Sequence, residues 1–188
     1  MTTSVVQTGA KAGGDVVGGH KVVETHYHLP GEPAGIVGQL LVKLQGEIKN
    51  NERVRHTIED LARFHTKRSI DGIEGLEAKL EAGGRANEYL AALEKKEMFV
   101  KLLERWSLYA SAQEIFVYLL AQAEHHFNLT IHPQIEQLSP VQVNALINQL
   151  IITPTINQVG ADVFVLNHNV CMGMIYWLAE QCFVRWHQ

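Results

Sequence analysis

The sequence predicts a mainly α protein, a helical bundle of about five to seven helices preceded by a short glycine-rich β arm. Three observations predict it. Eight of the 15 Gly fall in the first 38 residues. From Ala34 onward, apolar residues recur at the three-and-four spacing of a helix. Charge then divides the helical part: residues 46–105 carry 12 Lys/Arg and 12 Asp/Glu, whereas residues 106–188 carry one basic residue, Arg185, and five acidic ones. The expected organisation is an arm and linker over residues 1–33 and an α-helical domain over residues 34–188.

The arm is read from three β-branched pairs, Val5-Val6, Val16-Val17 and Val22-Val23, set between glycine turns. An isolated hairpin is marginal in water, so its backbone is expected to pair with another copy or with a partner. Val16, Val17, Val22 and Val23 are the contact residues this implies. Leu29-Pro-Gly-Glu-Pro33 then breaks the chain before the body.

In the body, Leu40, Leu41, Leu44 and Ile48 form a first helical stripe, ended by Asn50-Asn51. Val54, Ile58, Leu61 and Phe64 form a second. Ser69 to Ala82 reads as a third helix with Asp71 as cap, an apolar face of Ile73, Leu76 and Leu80, and Gly83-Gly84 as its stop. Helical signal then runs from Arg85 to Leu129 without Pro or Gly. A straight helix of that length would span about 65 Å, against a radius of gyration of about 16 Å for a compact chain of this size. A break around Ser107 to Ser111 is expected. Ser139 caps a further helix with Pro140 at its first position, carrying Val143, Leu146, Ile147 and Leu150, and Pro154 interrupts it. Gly160 to Leu166 reads as a short strand or extended loop, and Asn167 as the cap of a last helix over about Val170 to Trp186. That helix is apolar nearly all round, the mark of a buried or interface element. Because residues 106–188 have so few charges to cover an exterior, the interface reading is preferred, with Trp177 and Trp186 as contact residues.

Composition excludes several classes. A net charge of −4 without a basic stripe argues against direct nucleic-acid binding through phosphates. No apolar run reaches the length of a membrane span, and the first residues lack the apolar segment of a secretory signal, so a cytoplasmic protein is expected. Cys171 and Cys182 make neither a disulfide framework nor a zinc ribbon and are read as buried thiols on one helix face. Gly13-Gly-Asp-Val-Val-Gly-Gly-His-Lys21 departs from a phosphate loop, since His20 precedes the lysine and Val22 stands where a hydroxyl residue belongs. His26 with His28, His125 and His126 with His132, and His168 are read as surface or capping histidines, because no His-Glu-x-x-His or Cys-x-x-Cys spacing supports a metal site. Glu114, Glu124 and His125 are rare polar groups on an apolar stretch, read as solvent-facing or structural. No catalytic residue, metal or cofactor is assigned.

Two segments carry a resemblance. Lys101-Leu-Leu-Glu-Arg-Trp-Ser-Leu-Tyr-Ala-Ser-Ala-Gln-Glu-Ile-Phe116 and the ending from Val163 to Trp186 are similar to the C-terminal domains of bacterial ABC-three-component system proteins. The leader Gly14-Asp-Val-Val-Gly-Gly19 resembles a segment that precedes such domains in bacterial conflict proteins. The resemblance implies a component of a prokaryotic defence system against phage or other mobile DNA that acts beside an ABC-type ATPase and a middle component and couples an effector to that assembly. Only 13 residues precede Gly14, so effector activity is expected in another protein.

The reading is a noncatalytic assembly or adaptor component that forms a homo-oligomer through its arm and its apolar C-terminal helices, with the ABC-type ATPase and effector proteins as partners. One alternative is a sensor or sponge for a nucleotide signal, bound through Arg53, Arg55, Lys67 and Arg68. Another is a metal-dependent hydrolase built on the histidines.

Overall fold

A computed structural model describes residues 35–68, 72–161 and 163–187. All of them fall in one compact unit, Ala34–Gln188. The arm with its valine pairs, including Val16, Val17, Val22 and Val23, and the histidines His26 and His28 lie outside the described residues, as does Asp71.

Among the described residues the structure is helical and no strand occurs. The elements are α1 (Ile36–Asn50), α2 (Glu59–His65), α3 (Leu76–Ala82), α4 (Tyr89–Trp106), α5 (Ala110–His126), α6 (Pro140–Ile147), α7 (Thr153–Val159) and α8 (His168–Glu180). A π turn over Asn148–Ile152 joins α6 to α7, so the two make one continuous helical rod. Seven rods result, within the expected range.

The core is built around α8, which packs mainly on α4 and also on α3, α5 and α7. Its residues are buried on every side, from Val170 and Cys171 through Met174 to Ala179. Close approach to α4 is possible because Gly173 has no side chain: a Cβ there would stand 2.0 Å from the Lys95 carbonyl oxygen. α1 packs on α5 and α7, and α2 on α5.

The predicted break in the long helical run is present. α4 ends at Trp106, where the Ser107 hydroxyl donates to the Glu104 carbonyl at 2.7 Å, and α5 starts at Ala110. The new N-terminus is satisfied from outside: Glu47 of α1 accepts from the Ser111 amide at 3.2 Å and from its hydroxyl at 2.7 Å. A carboxylate there meets unpaired helix amides and the positive end of the dipole. The Ser139 cap also holds, as a full capping box with Gln142, and Asn167 accepts from the Val170 amide.

Several boundaries differ from expectation. The second helix begins only at Glu59, with Val54 left in a loop. Gln113 of α5 holds that loop, accepting from the Ile58 amide at 2.8 Å and donating to the His56 carbonyl at 3.1 Å. The third helix begins at Leu76, because Gly72 and Gly75 take left-handed φ values of 75° and 82°, which helical backbone does not allow. Pro154 does not end its rod; it lies in the first turn of α7, where the missing N–H is harmless. The last helix stops six residues before Trp186, at Glu180. There Cys182 takes φ 63°, and its amide and that of Phe183 donate to the Ala179 and Leu178 carbonyls. That pairing is a Schellman stop. Cys182 is therefore past the helix, not on a shared face with Cys171, though both thiols are buried as expected.

Candidate functional site

The four basic residues assigned to a ligand do not converge. The Val54 amide, between Arg53 and Arg55, donates to the Leu108 carbonyl just before α5 begins. Arg68 pairs with Glu124 at 3.4 Å, near the other end of that helix. Fourteen helical steps, from Ala110 to Glu124, separate those two levels, about 21 Å at the usual rise. Arg53, Arg55 and Lys67 are exposed. Arg68 is engaged twice, by Glu124 and by the Phe183 ring 4.0 Å beneath its guanidinium, and Arg63 joins the same carboxylate at 2.7 Å. Glu124 thus holds α2 and the following loop to α5, while Glu114 faces Lys43 of α1 at 3.6 Å.

Trp177 and Trp186 lie inside their own chain. They are 4% and 3% exposed, Trp177 against Phe99 and His65, and Trp186 against Phe127 and Tyr176. The charge-poor C-terminal run supplies much of the core of this unit, while Leu108, Leu129, Val141 and Val165 stay exposed. Low charge density alone cannot separate a core helix from an interface helix, because both exclude Lys and Glu for the same desolvation cost.

The structure instead assembles a polar site from residues that sequence spacing left apart. Arg85, in the turn after α3, is 3% exposed. Its guanidinium donates to Glu88 at 3.0 and 3.1 Å and to the Asn144 side-chain oxygen of α6, and it stacks 4.6 Å over the Trp186 ring. Trp186 reaches it because Gly83 offers no Cβ to obstruct the indole's own Cβ. Glu88 also accepts from the Tyr176 hydroxyl at 3.4 Å. Burial, followed by the Glu88 charge, pushes the Tyr176 phenol up to about 12, so it acts as a fixed donor. A buried guanidinium is tolerable only with such partners.

Beside this network runs a groove of about 390 Å³ lined by Glu88, Lys95, Asn144, Asn148, His168 and Asn169 among others. Asn144 and Asn148 are one helical turn apart, so their amides share a face. Asn148, His168 and Asn169 are exposed. Side-chain amides offer a donor and an acceptor together, so the groove wall can pair with a polar chain laid along it. The signal for it in the sequence was faint: Asn144, Asn148, His168 and Asn169 are conspicuous only as polar residues within apolar helices.

Among the described residues, no group of three or more His, Cys, Asp or Glu is placed to hold a metal ion, and no helix is long and apolar enough to cross a membrane. His125 and His126 contact each other edge to face, with ring centroids 5.6 Å apart. His132 Nε2 donates to the His187 carbonyl oxygen at 2.9 Å.

The family of C-terminal domain 9 of the ABC-three component (ABC-3C) systems matches residues 75–186, more than half of the chain. No curated protein and no solved structure matches.

Proposed function

The chain belongs to the ABC-three-component C-terminal domain family, and from that premise we propose that it serves as a noncatalytic assembly component of such a prokaryotic defence system. The observation that carries the reading is the extent of the match. It begins at Gly75, the residue before α3, and ends at Trp186, and the two ends meet: Trp186 packs on Gly83 and Arg85. The matched segment shares one core with α1 and α2: Leu44 and Phe64 are buried in it, Phe64 packs on Phe183 and His65 on Trp177.

The groove beside the Arg85 network, whose wall mixes these polar groups with Ala91, Ile152 and Met172, is its docking surface, and the occupant is an extended segment of a partner component. The amides of Asn148 and Asn169 supply the donor and acceptor pairs that a peptide backbone requires, Asn144, whose oxygen is held by Arg85, adds its NH2 as a donor, and Lys95 and Glu88 give the segment a direction. Purification after co-expression with the ABC-type ATPase and the middle component of its system tests the assembly role. A stable particle containing all three is expected; a chain that purifies alone from that mixture overturns it.

Self-association through the arm is a separate part of the reading, with Val16, Val17, Val22 and Val23 as the pairing residues. Light scattering on the full chain and on a chain starting at Ala34 tests it. The full chain is expected to be an oligomer and the shortened chain a smaller species; two monodisperse monomers overturn it.

A further inference from the structure

The geometry points to a redox-formed nitrogen–sulfur link between Lys79 and Cys182, in which Cys182, oxidised by peroxide, condenses with the Lys79 amine to a sulfenamide. Three observations carry it. Lys79 is fully buried in α3, a place lysine almost never occupies, and its Nζ lies 2.6 Å from the Ala179 carbonyl oxygen and 2.6 Å from Cys182 Sγ. The second distance is below the range of about 2.7–3.2 Å for a donor nitrogen on oxygen, although sulfur is the larger atom. Cys182 itself occupies the left-handed position of the α8 stop, at φ 63°, where glycine is the ordinary residue. Strained residues of this kind concentrate at functional sites. Finally, a cavity of about 130 Å³ bounded by Lys67, Arg68, Glu74, Gly75, Glu180 and Cys182 gives a peroxide molecule access to the sulfur.

The chemistry balances. The thiol reacts with hydrogen peroxide to give Cys182 sulfenic acid and one water; the O–O bond breaks and sulfur loses two electrons. Lys79 gives up its ammonium proton to water in the adjoining cavity, the Nζ lone pair attacks sulfur, the S–O bond breaks, and hydroxide leaves with one of the remaining amine protons as a second water. Sulfenic acids are known to condense with nitrogen in this way. The product is two hydrogens lighter than the thiol and amine together. Two equivalents of a thiol reductant restore both groups and form one reductant disulfide. The link fastens α3, the first helix of the matched module, to the turn that closes α8.

The test is mass spectrometry of the full chain after peroxide treatment and proteolysis. Expected are a peptide pair joined at positions 79 and 182 and lighter by two hydrogens, loss of tryptic cleavage after Lys79, and reversal by dithiothreitol. Lys79→Arg and Cys182→Ser abolish the pair. Cys171→Ala keeps it, since burial pushes the Cys171 thiol up to about 12 and leaves that sulfur unreactive. The wild-type measurement stands whether or not the variants fold. Recovery of Cys182 as free thiol, sulfinic acid or sulfonic acid with Lys79 unmodified overturns the proposal. So does a two-hydrogen loss that disappears in Cys171→Ala, which marks a disulfide.

Discussion

Gly173→Ala probes the contact on which the core depends. A Cβ at this position would lie 2.0 Å from the Lys95 carbonyl oxygen and 2.6 Å from its carbon, whereas ordinary contact begins at 3.4 Å. The obstacle is helix backbone, which cannot rotate aside as a side chain does, so α4 and α8 must part locally by about 1.4 Å, the difference between those two distances. Overpacking of this kind costs about 1–3 kcal/mol, and this site belongs at the upper end because the clash is with main chain. Alanine returns about 1 kcal/mol of helix propensity over glycine. The net loss is about 2 kcal/mol, which lowers Tm by about 4–8 °C in a unit of this size. Thermal unfolding followed by far-ultraviolet circular dichroism reads it. Gly46→Ala is the matched control: it lies in α1 with nothing within 4 Å of the new Cβ, so propensity acts alone and Tm rises by about 2–4 °C. A Gly173→Ala protein that melts at or above the wild type would refute the reasoning, since propensity would then be the whole effect at both sites.

Other consequences follow from the same contacts. Removing the carboxylate in Glu47→Ala leaves the Ser111 amide and hydroxyl without their buried acceptor and costs about 1–3 kcal/mol, measured as a lower urea midpoint at unchanged m-value. Alkaline titration tests the Tyr176 environment. Its phenol titrates near 12 in the folded chain against an ordinary 10.0, so the stability it contributes is complete below pH 10 and is lost as pH rises toward 12. Tyrosinate absorbance should show a late step that Tyr176→Phe removes; a Tyr176→Phe chain whose titration curve keeps that step would contradict it. Glu124→Gln weakens both Arg63 and Arg68, but those arginines are 51% and 41% exposed, so each pair contributes under about 1 kcal/mol. Chemical denaturation should place the total loss below that of Glu47→Ala.

The helices were legible where local chemistry decides them. Ser139-Pro140 and Asn167 mark starts because the cap is made by residues one turn away, and the break near Ser107 follows from length alone. What stayed hidden depends on partners distant in sequence. Gln113 holds a loop 55 residues earlier, Arg85 finds Asn144 59 residues later, and Lys79 meets the carbonyl of Ala179 100 residues on. No periodicity announces such pairs. The end of α8 was misplaced because apolar character continues through Phe183, Val184 and Trp186; only the left-handed φ of Cys182 stops the helix. Scarce charge made Trp177 and Trp186 resemble interface residues, when Phe99 of α4, His65 of α2 and the turn around Gly83 and Arg85 already cover them. The groove was missed for the opposite reason. Its wall uses Asn144 and Asn148 from one rod and His168 and Asn169 from another, each an unremarkable polar residue until the rods are set side by side.

On the function proposed above, this module joins an ABC-three-component assembly by docking a partner segment in that groove. Light scattering on the co-expressed components, with the wild-type chain and with Asn148→Arg/Asn169→Arg, tests it most directly. Both changes lie at exposed positions, so the fold and the Tm should be retained. The wild-type chain should appear in the complex and the double variant as a separate, folded module. A double variant that remains in the complex at wild-type stoichiometry would contradict it.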